Sequence, residues 1–264
     1  MRRHSLWSWC GGLLGVVVAL AAFAPASWLA SSIGMASQGR VLLQEPRGTV
    51  WTGSAQLVLA GGDGSSGATR LPSRMNWDIS PQWWGVTVLL SAPCCTPATP
   101  VQMTALLDDV LEGGALAWTL RSSELALPAS MLVGLGAPWN TLQLAGDLRF
   151  STDRLAGQWT ASGGVSGVSG QALLQANHMT TALSTLHPLG SYKLSTAGKA
   201  LRLETNGEAA LVLNGTGNIE QGRIAFLGEA TAAKGREEAL SNLLHMMGQW
   251  QLNNDGRMSS ILKI

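Results

Sequence analysis

The sequence predicts a mainly β protein in which a single N-terminal transmembrane helix precedes an antiparallel, curled β-sheet domain. One amphipathic helix is expected near the C-terminus. Three observations lead to this fold class. Residues 6–30 contain no charged side chain. From residue 38 onward, short alternating runs are separated by Gly, Pro, Asn and Asp, as in strands joined by tight turns. A single late segment has apolar residues at helical spacing.

The composition agrees with a β-sheet protein that has no nucleic-acid partner. Charged residues make up 12% of the 264 residues, against about 25% in ordinary proteins. Gly is abundant, with 32 residues. The net charge of +1 offers no basic field that could hold a nucleic acid.

The N-terminus predicts a membrane anchor. Arg2 and Arg3 precede the uncharged run, and about 20 apolar residues suffice to cross the hydrocarbon core. Because positive charge stays on the cytoplasmic side, we expect a cytoplasmic tail at residues 1–5 and a transmembrane anchor at residues 6–30. Residues 38–264 then form a β domain on the opposite side of the membrane.

A cleavable signal peptide is the alternative interpretation of the same segment. Residues 24–26 (APA) offer an A-x-A cleavage site before Ser27. The apolar stretch continues past that site through Trp28 and Ile33, which favours an uncleaved anchor. Both interpretations predict export of the domain.

Alternation and turn residues define the expected strands. Residues 201–205 alternate Leu, Arg, Leu, Glu, Thr, and the Asn-Gly pairs at 206–207 and 214–215 each predict a hairpin turn. Residues 45–48 (EPRG) and 153–154 (DR) are also expected to be turns. The spacing of these signals indicates a meander of antiparallel strands.

One segment near the C-terminus predicts an amphipathic helix that covers one end of the sheet. Glu237 and Glu238 in its first turn and His245 in its last turn complement the helix dipole. Its apolar face consists of four residues at helical spacing, Leu240, Leu243, Leu244 and Met247.

No catalytic, cofactor or metal site is predicted. Residues 62–67 match G-x-G-x-x-G, but Pro72 blocks the helix that a dinucleotide site needs. Ser166 and Ser169 lack the flanking glycines of a nucleophile elbow. The acidic residues Asp108, Asp109 and Glu112 are expected on a solvated surface. A periplasmic hydrolase would require a triad assembled from distant residues, and no motif favours one.

The adjacent residues Cys94 and Cys95 leave three alternatives open. In an oxidising compartment they can form a disulfide with each other, or each can bond another chain. They can also be two small residues tolerated in a Pro-rich loop.

Four tryptophans are candidates for contact with a partner, because Trp is enriched where interfaces are most strongly bound. The alternative is that they fill the core of the domain. The four candidates are Trp51, Trp77, Trp83 and Trp84.

Two short motifs in the first third of the chain and one pattern at its end suggest a family. Residues 48–55 read GTVWTGSA and residues 77–81 read WDISP. The helical segment at 239–248 is followed by residues 255–257 (DGR) and an apolar strand. Together with the basic start and the single span, these features resemble protein N of the bacterial type II secretion system.

This resemblance implies a bitopic protein of the bacterial inner membrane with a periplasmic domain. The implied function is that of a non-enzymatic accessory and structural subunit, without a cofactor, that supports export of folded exoproteins across the outer membrane. The implied partners are the inner-membrane platform, protein C and, indirectly, the secretin. Membrane lipid is contacted through the N-terminal helix.

A Gly-rich β domain behind one span also resembles the AsmA-like envelope proteins, whose curled sheets carry an apolar groove for lipid. This resemblance implies the alternative function, a periplasmic lipid-binding or lipid-transfer module.

Overall fold

The computed structural model describes residues 3–61, 67–96, 99–108, 115–137, 139–159, 165–220, 223–247, 249–252 and 258–263. The helices are α1 (Arg3–Ala22), α2 (Ala26–Ala36), a 3-10 helix (Ala129–Leu135), α3 (Trp139–Leu142) and α4 (Glu237–Met247). The strands are β1 (Val41–Gly48), β2 (Thr52–Ala60), β3 (Ala68–Arg70), β4 (Met75–Gln82), β5 (Gly85–Ser91), β6 (Val101–Asp108), β7 (Ala115–Pro128), β8 (Ala145–Trp159), β9 (Val165–Thr180), β10 (Gly190–Ala197), β11 (Ala200–Thr205), β12 (Leu211–Glu220), β13 (Arg223–Ala232), β14 (Gln249–Leu252) and β15 (Met258–Lys263).

The strands form one antiparallel sheet, which confirms the mainly β, antiparallel part of the predicted fold class. Its order is β1-β2-β4-β5-β6-β7-β8-β9-β10-β11-β12-β13-β15-β14, with β3 paired to β2. Because neighbouring strands mostly follow one another in sequence, their connections alternate between two ends of the sheet. We call these ends the helix end, with the β1–β2 and β4–β5 turns, and the far end, with the β5–β6 connection, the 3-10 helix and α4.

The uncharged N-terminal run forms two helices, whereas the sequence predicted one helix over residues 6–30. Pro25 causes the break. It disfavours helical backbone at Ala24, and its own backbone is extended, with φ −70° and ψ 146°. Residues 1–2 lie outside the described residues, as do the side chains of residues 3–11.

The second helix packs on the sheet as part of its core. Ala26 is buried with Leu43, Ala55 and Trp77. Further residues of α2 pack against this cluster, namely Leu29, Ala30 and Ile33. The apolar residues after the alternative cleavage site therefore pack against the β domain.

At the far end, α4 covers the sheet as its pattern predicted. Leu240, Leu243 and Leu244 are buried against Leu211 of β12 and Leu189. The two glutamates lie in the first turn and the histidine in the last turn of α4. The side chain of Met247 lies outside the described residues.

The turn expected at residues 45–48 is wrong, because β1 continues through them as a bulged edge strand. Its register against β2 shifts between Gln44 and Arg47, and Glu45 has a φ of 49°. Arg74 holds this bulge, since its guanidinium donates a 2.6 Å hydrogen bond to the main-chain oxygen of Glu45. Pro46 fits an edge strand, where its missing N–H is not required. The turn lies at residues 49–51 instead.

Two other expected turns are also wrong, because their residues lie within strands. At residues 153–154 the register of β8 against β9 shifts, which marks a bulge. At residues 214–215 the chain continues along β12. Gly215 serves close packing there, since a β-carbon on it would lie 2.9 Å from the Cα of Gly228.

The Asn-Gly pair at 206–207 does connect two strands, β11 and β12, as predicted. The described chain ends in another antiparallel pair, β14 with β15. Residues 253–257 between these two strands lie outside the described residues.

Candidate interaction site at the helix end of the sheet

A tight turn of residues 48–53 connects β1 to β2. Gly48 has a φ of 89°, and a β-carbon there would lie 2.5 Å from the carbonyl oxygen of Thr52. The amide of Thr49 donates to that same oxygen at 2.9 Å. The amide of Thr52 donates in return to the hydroxyl of Thr49 at 3.1 Å. The first motif therefore folds locally into a closed turn.

The tryptophan of the second motif closes over this turn. Trp77 is 3% exposed. Its indole Nε1 donates to the main-chain oxygens of Val50, at 3.0 Å, and of Thr49, at 3.3 Å. A β-carbon on Gly53 would lie 2.5 Å from Cζ2 of the Trp77 ring. The two motifs therefore form one contact unit, in which glycine is required for the ring to approach.

The same unit joins the N-terminal helices to the sheet. Trp51 is half-buried, and its Nε1 donates to the main-chain oxygen of Ala21 in the last turn of α1 at 2.7 Å. The amide of Val50 donates to the oxygen of Ala24 at 2.8 Å. Pro25 also forms an isolated antiparallel bridge with Thr49. The connection between α1 and α2 therefore contacts the β1–β2 turn directly.

Next to this junction, Trp83 and Trp84 form the two-residue loop between β4 and β5. Gln82 pairs with Gly85, so these two residues alone make the connection. Trp83 is 88% exposed and Trp84 is 66% exposed. Their rings lie edge to face, with centroids 6.3 Å apart. We call this loop the tryptophan hairpin.

A comparison with protein families assigns the chain. The sequence profile of the family described as type II secretion system (T2SS), protein N, matches residues 39–259. The chain belongs to this family. Neither a curated protein nor a solved structure matches it.

Membership in the protein N family confirms the resemblance that the motifs suggested. The GTVWTGSA and WDISP motifs both lie inside the matched range. The family is an accessory family of the type II secretion system, so the chain is associated with protein transport and the bacterial cell envelope.

The structure separates the four tryptophans that were candidates for partner contact. Trp77 belongs to the core of this protein N domain, so almost none of its surface is open to a partner. Trp51 contacts the N-terminal helix. Only Trp83 and Trp84 are mostly accessible to solvent.

Cys94 and Cys95 lie at the far end of the sheet, remote from this junction, and a disulfide joins them. Cys95 is 1% exposed and belongs to a cluster with Leu71, Ala92 and Met131. Its carbonyl oxygen accepts a 2.7 Å hydrogen bond from the amide of Ala126 in β7. Cys95 therefore belongs to the core under the 3-10 helix, whereas Cys94 is exposed.

Sequence reasoning missed a second aromatic contact on the sheet. Trp118 lies across Gly157, where a β-carbon would be 2.7 Å from Cζ2 of the ring. Its ring centroid is 5.7 Å from that of Trp159. Its buried Nε1 has no hydrogen-bond partner among the described residues. Only the register of β7 against β8 shows that Gly157 lies opposite Trp118.

Sequence reasoning also missed Tyr192, which is buried at the centre of the sheet. Its hydroxyl donates to the main-chain oxygen of Leu211 at 2.9 Å. Burial raises the pKa of the Tyr192 hydroxyl well above its ordinary value. A lone Tyr in the sequence carries no signal of this kind, because the acceptor comes from a strand 19 residues away.

No group of three or more His, Cys, Asp or Glu side chains within the described ranges is placed to hold a metal ion. Ser166 and Ser169 lie in β9. Residues 62–66 of the G-x-G-x-x-G match and residues 109 and 112 of the acidic cluster lie outside the described residues. Where the structure describes the chain, no helix is long and apolar enough to cross a bilayer.

Proposed function

We propose that the protein is a non-enzymatic accessory and structural subunit of the type II secretion system, held at the inner membrane by its N-terminus with the sheet in the periplasm. The match to the protein N family carries this proposal. The inner-membrane platform and protein C are the proposed partners, with the secretin contacted indirectly.

The N-terminal helix supports the anchoring part of the proposal. Apolar side chains from Leu13 to Leu20 on α1 are more than half exposed, and Phe23 after it is 77% exposed. None of the described strands covers them, so a lipid environment would be favourable for this surface. Arg2 and Arg3 would keep the N-terminus on the cytoplasmic side.

The proposed mechanism is tethering. The hydrogen bond between Trp51 and Ala21 and the packing of α2 fix the sheet close to the end of α1. An anchor of this kind confines the domain to the membrane surface and raises its effective concentration near other membrane-bound subunits.

The two sheet edges restrict how partners can dock. β1 carries a bulge and Pro46, and β14 has four residues. Bulges, proline and short strands all discourage pairing with another chain. We therefore favour docking through the faces or ends of the sheet over addition of a partner strand.

Secretion in the bacterium that carries the gene tests the proposal. Deleting the gene should lower the fraction of a folded exoprotein that reaches the medium and leave it in the periplasm. The full chain should restore secretion. A normal secreted fraction after deletion would overturn the proposed function.

A variant of the chain tests the anchor separately. In it, residues 1–23 are replaced by a cleavable signal sequence, so that the domain is released into the periplasm. It should fail to restore secretion. If it restores secretion fully, tethering is overturned while the role in secretion stands. N-terminal sequencing of the membrane-bound wild type adds a check, because a start at Ser27 would contradict the anchor.

One observation favours the lipid-binding alternative. An apolar row crosses five neighbouring strands of the sheet, and the sheet is open because its two edges, β1 and β14, are separate strands. Each member of the row pairs with the next, and all are only partly buried: Leu125, Phe150, Leu174, Leu194 and Leu203. A cavity of about 550 Å³ nearby is lined by Glu124, Asp153 and Lys193, which suit an acyl chain poorly. Phospholipid in an organic extract of the purified protein would support this function, and its absence would contradict it.

A further inference from the structure

We propose that the tryptophan hairpin inserts into the interfacial layer of the membrane beside α1, so that the helix end of the sheet rests on the bilayer. This inference rests on the anchoring part of the proposed function. It adds a second membrane contact, made by a defined loop of the β domain.

Both tryptophans of the hairpin are highly exposed. Two adjacent indole rings with exposed fractions of 88% and 66% are unusual for a large apolar side chain in water. The rings contact each other edge to face. Trp has an apolar ring with one N–H donor, and it is enriched where a membrane meets water.

The hairpin lies beyond the junction between α1 and the sheet. The amide of Ile79 in β4 donates to the main-chain oxygen of Trp51 at 2.6 Å, and Trp51 in turn contacts Ala21 of α1. β4 runs on from Ile79 to Gln82 before the hairpin. At about 3.3 Å per residue, the loop extends roughly 10 Å beyond the level at which α1 joins the sheet. The polar layer on each side of the hydrocarbon core is only about 5–8 Å thick. A loop with this reach is therefore long enough to enter that layer when α1 is in the membrane.

The hairpin carries no charge. Residues 79–107, which include β5 and the hairpin, contain no charged residue, and Asp108 follows at the end of β6. Leu106, which pairs with Gly85 beside the hairpin, is 44% exposed. Insertion of the hairpin itself therefore buries no ionic group.

A lipid surface fits this loop better than a protein partner. Two Trp side chains can bury about 300–500 Å² in total. A stable protein interface needs about 800 Å² from each partner. The hairpin is a convex loop rather than a broad patch, so it suits a deformable interfacial layer.

Fluorescence quenching of the full chain in vesicles tests the proposal. The vesicles contain phosphatidylcholine brominated in the acyl chains, which quenches tryptophans in contact with lipid. The variant W83F/W84F keeps two aromatic rings but removes the hairpin emission. The difference between wild type and variant therefore reports on Trp83 and Trp84 alone.

The matched control is W139F. Trp139 is 37% exposed and begins α3 at the far end of the sheet. We expect the brominated lipid to remove most of the hairpin emission and to leave the Trp139 emission unchanged. Aqueous iodide should quench Trp139 and spare the hairpin. Quenching of the hairpin emission by the brominated lipid should not depend on salt, because the loop carries no charge.

The outcomes separate this inference from the proposed anchor. If the lipid quenches the remaining emission of W83F/W84F but not the hairpin emission, the hairpin proposal is overturned and the anchor stands. If the lipid quenches neither, both are overturned. Hairpin emission quenched by iodide to the same degree as Trp139 would also overturn membrane insertion.

Discussion

The indole Nε1 of Trp51 donates a hydrogen bond of 2.7 Å to the main-chain oxygen of Ala21, 30 residues earlier in the chain. Carbonyl groups in the last turn of a helix have no partner within the helix. Trp51 satisfies one of them from the β1–β2 turn. Together with the hydrogen bond from the Val50 amide to Ala24, this contact connects the end of the N-terminal helix to the sheet.

Replacing Trp51 with Phe should loosen this junction. The substitution keeps an aromatic ring but removes the donor, at a cost of about 0.5–1.5 kcal/mol. Hydrogen exchange of the Val50 amide, which donates to Ala24, should speed up while amides in β8 and β9 keep their protection. Trp84→Phe is the control and should change neither. Unchanged exchange at Val50 in Trp51→Phe would contradict the role of the hydrogen bond.

Gly53→Ala should destabilise the domain. The new β-carbon would lie 2.5 Å from Cζ2 of Trp77 and 2.6 Å from the main-chain oxygen of Arg47. Overpacking of this kind typically costs about 1–3 kcal/mol. Gly34→Ala in α2 is the control, because its nearest neighbour would be 3.8 Å away and Ala favours a helix. Urea unfolding should show a lower midpoint for Gly53→Ala only.

Trp77→Ala and Trp84→Ala should differ sharply in stability. Trp77 is buried in the cluster with Ala26, Leu43 and Ala55, so its removal leaves a cavity and costs about 3–5 kcal/mol. Trp84 is mostly exposed, and its removal should stay within about 0.5 kcal/mol of wild type. Circular dichroism during thermal unfolding measures both. Where Trp77→Ala does not fold, Trp77→Phe provides a milder comparison, and equal stability of Trp77→Phe and wild type would argue against the hydrogen bonds to the turn.

Tyr192 should make the protein lose stability at alkaline pH. Because burial raises the pKa of its hydroxyl in the folded state, the unfolded chain loses this proton first. Its stabilising contribution is therefore complete below the unfolded pKa of about 10 and declines as pH rises toward the folded pKa. Between the two pKa values, the free energy of unfolding should fall by about 1.4 kcal/mol per pH unit for this one proton.

The variant Tyr192→Phe isolates the contribution of this hydroxyl to stability. It leaves the oxygen of Leu211 without its donor, so the variant should be less stable than wild type at pH 8 by about 1–3 kcal/mol. Above pH 10 the gap should narrow, because the variant has no proton to lose there. Urea midpoints at pH 8, 10 and 11 measure both effects, and parallel curves for the two proteins would show that Tyr192 does not titrate as expected.

The two cysteines should respond differently to serine. Either substitution breaks the disulfide, but Cys95→Ser also places a hydroxyl among Leu71, Ala92 and Met131. Burying an unpaired hydroxyl costs about 1–3 kcal/mol. Cys94 is exposed, so its hydroxyl stays in water. The melting temperature of Cys95→Ser should be the lower of the two, and equal values would contradict the burial of residue 95.

Local sequence patterns predicted the parts of the fold that depend on neighbouring residues. Alternation marked β11, and the spacing of four apolar residues marked α4. Turns predicted from residue type were wrong where tertiary contacts determined the backbone conformation instead. The Glu45-Pro46 stretch became a bulged edge because Arg74 holds the Glu45 oxygen, and Gly215 became a packing position because another glycine lies opposite.

The candidate site was only partly visible in the sequence. The GTVWTGSA and WDISP motifs were recognisable as separate short patterns. That Trp77 caps the first motif depends on the pairing of β2 with β4. A pattern of residue types cannot show this pairing, because it joins segments that a loop separates.

The sequence by itself determined the β class, the apolar N-terminus, the amphipathic helix and the family resemblance, because periodicity and short motifs are properties of contiguous residues. Only the tertiary structure decided which tryptophan fills the core and which remain in solvent. Burial depends on what the opposite strand and helix supply. Trp77 meets Gly53 and α2, whereas Trp83 and Trp84 extend from a two-residue turn, where no described segment of the chain covers them.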